Sequence, residues 1–269
     1  MSAPAPARPR RRRSPGWVPN QHGAWAMLAS PLLLGALAGG LSWRHLVLGA
    51  FWFAGYVAFF ATSLWLKSGR KPRFLRPVQV YAAAAAVLGV LTLVLGPGLL
   101  RWAPLFALPL GVGLWAAAHR RERDLLAGLT TVVGSALMTV VAYDAAGGSG
   151  ALPAVGAAGD LSRAAVLALV QLLYFGGTVC YVKSVIRERG VPAFLRLSIG
   201  WHGAATLVVA VLWATGLVAG WAAAALLATF VLLTARAAVV PRMSLSPKQI
   251  GIAEIGATLA VALFSLWAT

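Results

Sequence analysis

The chain has 269 residues, 60% hydrophobic and 11% charged, with a mean hydropathy of +0.81 and a formal net charge of +17. This composition excludes a soluble globular domain and is that of an integral membrane protein. The charge does not mark a nucleic-acid binder, because no aromatics are interleaved with the basic residues for base stacking.

Residues 1–16 are Pro/Arg-rich without apolar periodicity, so they are expected to be a disordered basic tail that cannot bury a core. Residues 17–269 then read as a single transmembrane helical domain. Nine apolar runs, each long enough to cross a hydrocarbon core of about 30 Å, are separated by short charged segments. They extend over Ala24 to Leu41, Leu46 to Leu66, Val78 to Leu95, Trp102 to Ala118, Leu125 to Tyr143, Ala164 to Val182, Leu197 to Leu217, Trp221 to Ala235 and Ile250 to Trp267. The Gly/Ala-rich stretch from Asp144 to Ser162 is expected to be a linker. The predicted class is an all-α polytopic bundle.

Basic residues fix the expected orientation. Of the 23 Lys and Arg residues, 20 fall in the tail and in the segments after helices two, four, six and eight, all on one side. Only Arg44, Arg101 and Arg163 fall on the other. The positive-inside bias therefore places the N-terminus and the basic loops in the cytoplasm and the C-terminus outside a bacterial cell membrane. One helix too many or too few would reverse the pattern downstream, and no reversal occurs. Contact of these loops with anionic headgroups is the plainest role for them, at about 1 kcal/mol per basic residue.

A string recurs. Residues 62–68 and 178–184 share Thr-x-x-aromatic-x-Lys-Ser, ending in Lys67 and Lys183, 116 residues apart. Pro72-Arg73-Phe74-Leu75-Arg76 follows the first copy and Pro192-Ala193-Phe194-Leu195-Arg196 the second, each with an aromatic five residues later, Tyr81 and Trp201. A period that long is no solenoid repeat; it points to a duplicated half, with a site built between related bundles.

Polar groups at membrane depth are costly, which makes each a candidate. Asn20, Gln21 and His22 lie in Pro-Asn-Gln-His-Gly-Ala-Trp at the start of helix one, and Gln249 lies in Pro-Lys-Gln-Ile-Gly at the start of helix nine. These amides either receive an anion at a helix N-terminus or satisfy free backbone donors. Glu254 is the only carboxylate inside a predicted span. It pairs with Lys248, Lys67 or Lys183 as a clamp, or orients a substrate cation or relays protons. His22 and His202 both occur in His-Gly-Ala, but two histidines without further ligands make no metal site. His45 and His119 read as solvated interfacial groups. The lone Cys180 reads as packing, and so do the abundant small residues. The pair Gly176-Gly177 either joins that seam or thins helix six beside a ligand. No nucleophile elbow, P-loop, zinc-protease motif or dinucleotide fingerprint is present, and no cofactor is implied.

Pro-Asn-Gln-His-Gly-Ala-Trp-Ala-Met, followed by the Lys67 to Arg76 loop and the Lys183 loop, resembles the YwiC-like family of bacterial multi-spanning membrane proteins, which brings no activity with it. The nine helices and the enlarged loops after helices two and six are also similar to the UbiA family of intramembrane prenyltransferases. That family holds magnesium and an isoprenoid diphosphate with Asp-rich motifs in those loops, the first often running into an Arg-Pro like Arg76-Pro77. This chain has no aspartate before Arg76-Pro77, with Ser63 and Lys67 near where acidic ligands would fall. Its second loop offers only Glu188. Without carboxylates for a hard divalent ion, direct contact of diphosphate with Lys67, Arg70, Arg73, Arg76, Lys183 and Arg187 is the expectation, with recognition favoured over transfer. A small-anion or lipid transporter, a divergent prenyltransferase and a noncatalytic scaffold are the alternatives.

Overall fold

The structure, a computed structural model, describes residues 16–19, 24–146, 158–243 and 245–269. Among them it is all-helical: α1 (Ala24–Gly39), α2 (Arg44–Lys67), α3 (Leu75–Leu95), α4 (Ala103–Ala118), α5 (Leu125–Ala146), α6 (Ala158–Val182), α7 (Pro192–Ala214), α8 (Gly220–Val239) and α9 (Pro247–Ala268). Eight of the nine, with short flanking turns, are long and apolar enough to span a membrane, and α1 is a shorter apolar helix. Each begins or ends where the backbone demands it. Prolines open α7 and α9, where a missing N–H costs nothing. Gly40, Gly69, Gly190, Gly216 and Gly220 hold the positive φ that closes or opens the intervening turns.

The packing follows from small residues. α1 runs parallel to α5, and a side chain on Gly35 would place Cβ 2.1 Å from the Thr139 carbonyl oxygen. Ser135 donates to the Met27 carbonyl across the same seam at 2.6 Å. In a bilayer, where apolar area gives helices no reason to prefer each other over lipid, such close backbone approach supplies the contact. The largest buried cluster runs through α5 to α9 and includes Tyr174, Phe175, Val209, Leu226, Phe230 and Val261. α3 lies outermost: only 6% of its apolar window is buried, against 56% for α6.

Contacts between loops sort the bundle into two ends. Lys67 meets Glu122 at 3.0 Å, Lys183 donates to the Arg123 carbonyl at 2.8 Å, and Arg189 donates to the Met243 carbonyl at 2.8 Å. The loops after α2, α4, α6 and α8 therefore gather at one end, as the alternation of basic segments requires. At the other end Arg101 pairs with Asp144 at 2.6 Å and Arg163 donates to the Ala38 carbonyl at 3.1 Å.

Two sequence expectations change. Asp144 lies in the last turn of α5 rather than in a linker, because Arg101 and Trp102 both donate to its carboxylate. His45 is buried rather than solvated: its Nε2 lies 2.8 Å from the Ala142 carbonyl near the end of α5.

Candidate functional site

At the basic end, α2 finishes with Lys67, and Ser68 donates from Oγ to the Trp65 carbonyl at 2.8 Å. The chain turns through Gly69 and Arg70, with φ of 74° and 61°. A left-handed arginine is unusual, and it presents the Arg70 side chain over the Trp65 ring, 5.9 Å from the centroid. Arg73 lies over Phe74 at 5.0 Å. Arg70, Arg73, Arg76 and Arg187 are exposed, and none forms an ion pair among the described residues.

The two lysines behave differently. Lys67 is engaged with Glu122. Lys183 is buried, opens a π-helical turn over Lys183–Arg187, and sits 3.8 Å from Glu188 and 5.2 Å from the Phe194 centroid. Lys67 and Lys183 are thus each held by a carboxylate, and the cationic surface left open belongs to the loop arginines with Lys71 and Lys248.

Deeper in the bundle lies a second polar group, built where α6, α7, α8 and α9 meet. Glu254 stands seven residues into α9, about 10 Å from its start at 1.5 Å per residue. Its Oε1 accepts from Nη1 of Arg236 in an ion pair, and its Oε2 accepts from Thr178 at 2.9 Å. The Tyr174 hydroxyl lies 3.2 Å from Oε2 and 2.9 Å from Thr258 Oγ1. Tyr174, Thr178 and Tyr181 share one face of α6 by their spacing. The Tyr181 ring sits 4.1 Å under the Arg236 guanidinium and meets His202 edge-on at 6.5 Å. His202 is 2% exposed, with Nδ1 2.8 Å from the Ser198 carbonyl.

Glu254 therefore takes Arg236 as partner, and not Lys248, Lys67 or Lys183. Arg236 looks from the sequence like a loop residue, one position past the eighth apolar run. The run in fact continues through Ala237-Ala238-Val239, and Pro241 is the true breaker, a signal that would have placed Arg236 inside the helix. Tyr174 and Thr258 also carry no motif. Gly176 and Gly177 serve the packing seam: side chains there would bring Cβ to 2.3 Å from Trp201 and 2.9 Å from His202. Gln249 closes a capping box with Ser246, through bonds of 2.9 and 3.3 Å, which satisfies the start of α9. Asn20, Gln21 and His22 lie outside the described residues. The described residues hold no group of three metal-ligating side chains.

Comparison with known proteins gives a family without an assigned activity. A family model described as "YwiC-like protein" matches residues 18–143. The uncharacterized protein YwiC of Bacillus subtilis is 32% identical over 187 residues, covering 69% of this chain and 73% of that protein. An uncharacterized protein of Haemophilus influenzae is 26% identical over 258 residues, covering 94% and 98%. No solved structure matches the chain.

Proposed function

This chain belongs to the YwiC-like family, and on that footing we propose that it binds an anionic amphiphile, of the polyprenyl-phosphate kind, in a bacterial cell membrane. The basic end faces the cytoplasm, and the exposed arginines of the loop after α2 hold the headgroup. One observation carries this reading. At that end Glu122, Asp124 and Glu188 are engaged by Lys67, Arg121 and Lys183, while Arg70, Arg73, Arg76, Arg187 and Arg196 remain exposed. Cations left unneutralised beside an anionic leaflet attract phosphate, and guanidinium forks engage it through paired N–H bonds.

The same residues favour recognition over prenyl transfer. A magnesium diphosphate site needs carboxylate oxygens free to coordinate, and the carboxylates at this end are already bonded to cations. The reading is tested by titrating a polyprenyl phosphate into nanodiscs holding the wild-type protein or the variant Arg70→Gln, Arg73→Gln, Arg76→Gln. Losing three such contacts is expected to weaken binding about tenfold or more. Equal binding by the triple variant would overturn the proposal.

A further inference from the structure

Among the described residues, Arg236 is the cation with buried donors left unused. Its Nη1 serves Glu254, but Nε and Nη2 are buried and have no hydrogen-bond partner. These two nitrogens flank one edge of the guanidinium plane and point their N–H bonds in parallel, the arrangement that grips two oxygens of one oxyanion. The Tyr181 ring covers a face of the guanidinium, and in this closed arrangement both nitrogens are shut off from solvent.

Glu254 cannot supply the missing oxygens. Its Oε1 is taken by Arg236 Nη1, and its Oε2 by Thr178 and Tyr174. A buried charged donor without an acceptor costs more than a formed bond returns, so this polar group is short of an anion's oxygens rather than of another positive charge. His202 adds a complementary group beside the same ring. Because its Nδ1 lies against the Ser198 carbonyl, the neutral ring carries its proton there and offers a lone pair at Nε2, which is buried and unpartnered. Two unused donors and one unused acceptor around Tyr181 suit an oxyanion that keeps a proton. A phosphate monoester or hydrogen phosphate does so, and a carboxylate does not.

We propose that Arg236, through Nε and Nη2, forms an intramembrane phosphate site, with Glu254 positioning the guanidinium and His202 accepting the proton of the bound group. This goes beyond the headgroup contacts of the exposed arginines and does not rest on them. The class of ligand is a phosphate, free or borne on a lipid.

The test uses the full chain in phosphate-free detergent, titrated calorimetrically with inorganic phosphate and with dodecyl phosphate. Arg236→Lys keeps a cation opposite Glu254 but lacks the fork, and is expected to lose about tenfold in affinity or more. Lys248→Gln, at an exposed cation outside both sites, should retain this binding. Wild-type binding of both probes supports a site open to free phosphate; binding of dodecyl phosphate alone supports a lipid-borne one. Wild-type affinity in Arg236→Lys, or no binding of either probe to the wild type, overturns the site. Should Arg236→Lys fail to fold, Arg236→Gln with Glu254→Gln removes both charges together and must show the same loss. If only the exposed-arginine variant loses binding, this inference fails and the headgroup reading stands.

Discussion

Lys67 and Lys183 end the same string, yet the two hairpins they open occupy unlike surroundings. In both, the serine after the lysine donates to the carbonyl of the aromatic three residues back, at 2.8 Å in each case. In both, the phenylalanine after the loop lies under a cation: Arg73 over Phe74, and Lys183 over Phe194. Away from the helix end the resemblance stops. The Lys67 side chain is 46% exposed and that of Lys183 9%. Thr62 bonds back to its own helix at Ala58, while Thr178 reaches across to Glu254. Tyr81 secures the Trp17 carbonyl at the edge of the bundle; Trp201 donates to Leu173 inside it. The string sets how each helix ends, and the neighbours set what its side chains then do. α3 leaves most of its surface uncovered by other helices, whereas α6 packs against four, α1, α5, α7 and α9, so a charge or hydroxyl on α6 must find a protein partner.

The sharpest way to separate the two regions is to strand a charge in the second. Arg236→Met leaves the half-buried Glu254 without its cation and should cost up to about 3 kcal/mol, measured by equilibrium unfolding in detergent. Arg236→Met combined with Glu254→Leu should recover most of that loss. A single-variant cost near zero would show that the ion pair is not buried in the working membrane protein.

Next in size is the lysine contrast itself. Lys183→Met removes a charged bond to a carbonyl and should cost about 2 kcal/mol. Lys67→Met, at an exposed pair, should cost under about 1 kcal/mol. Equal effects would erase the difference between the hairpins. Smallest is the glycine seam. Gly176→Ala drives a methyl into the Trp201 ring and should cost about 1–2 kcal/mol, with a shift in tryptophan emission as Trp201 moves. Gly55→Ala on α2, where nothing lies within 4 Å of the added carbon, should stay within about 0.5 kcal/mol of wild type.

Much of this was legible before any fold. Nine helices, their approximate ends and the gathering of basic loops follow from apolar runs and from where Lys and Arg fall. The ends erred where polar residues sit inside helical turns. α6 begins at Ala158 and α7 at Pro192, each about a turn or more before its apolar run, because a helix crossing the headgroup region need not be apolar. Glu254 stood out as a carboxylate at depth. Its partner did not, since Arg236 sits in the last turn of α8 and pairs with a residue 18 positions away. The lysines were the obvious cations in the repeat, but Glu122 and Glu188 neutralise them, and no spacing rule reveals that.

The sequence by itself determined that this chain crosses a membrane many times and which segments share an end, because both depend on the solvent each residue faces. Tertiary structure alone decided which charges meet. At membrane depth a charge takes whatever partner packing brings within reach, and the helix pairing that brought Arg236 to Glu254 rests on small-residue seams with only weak traces in the pattern of the helices themselves.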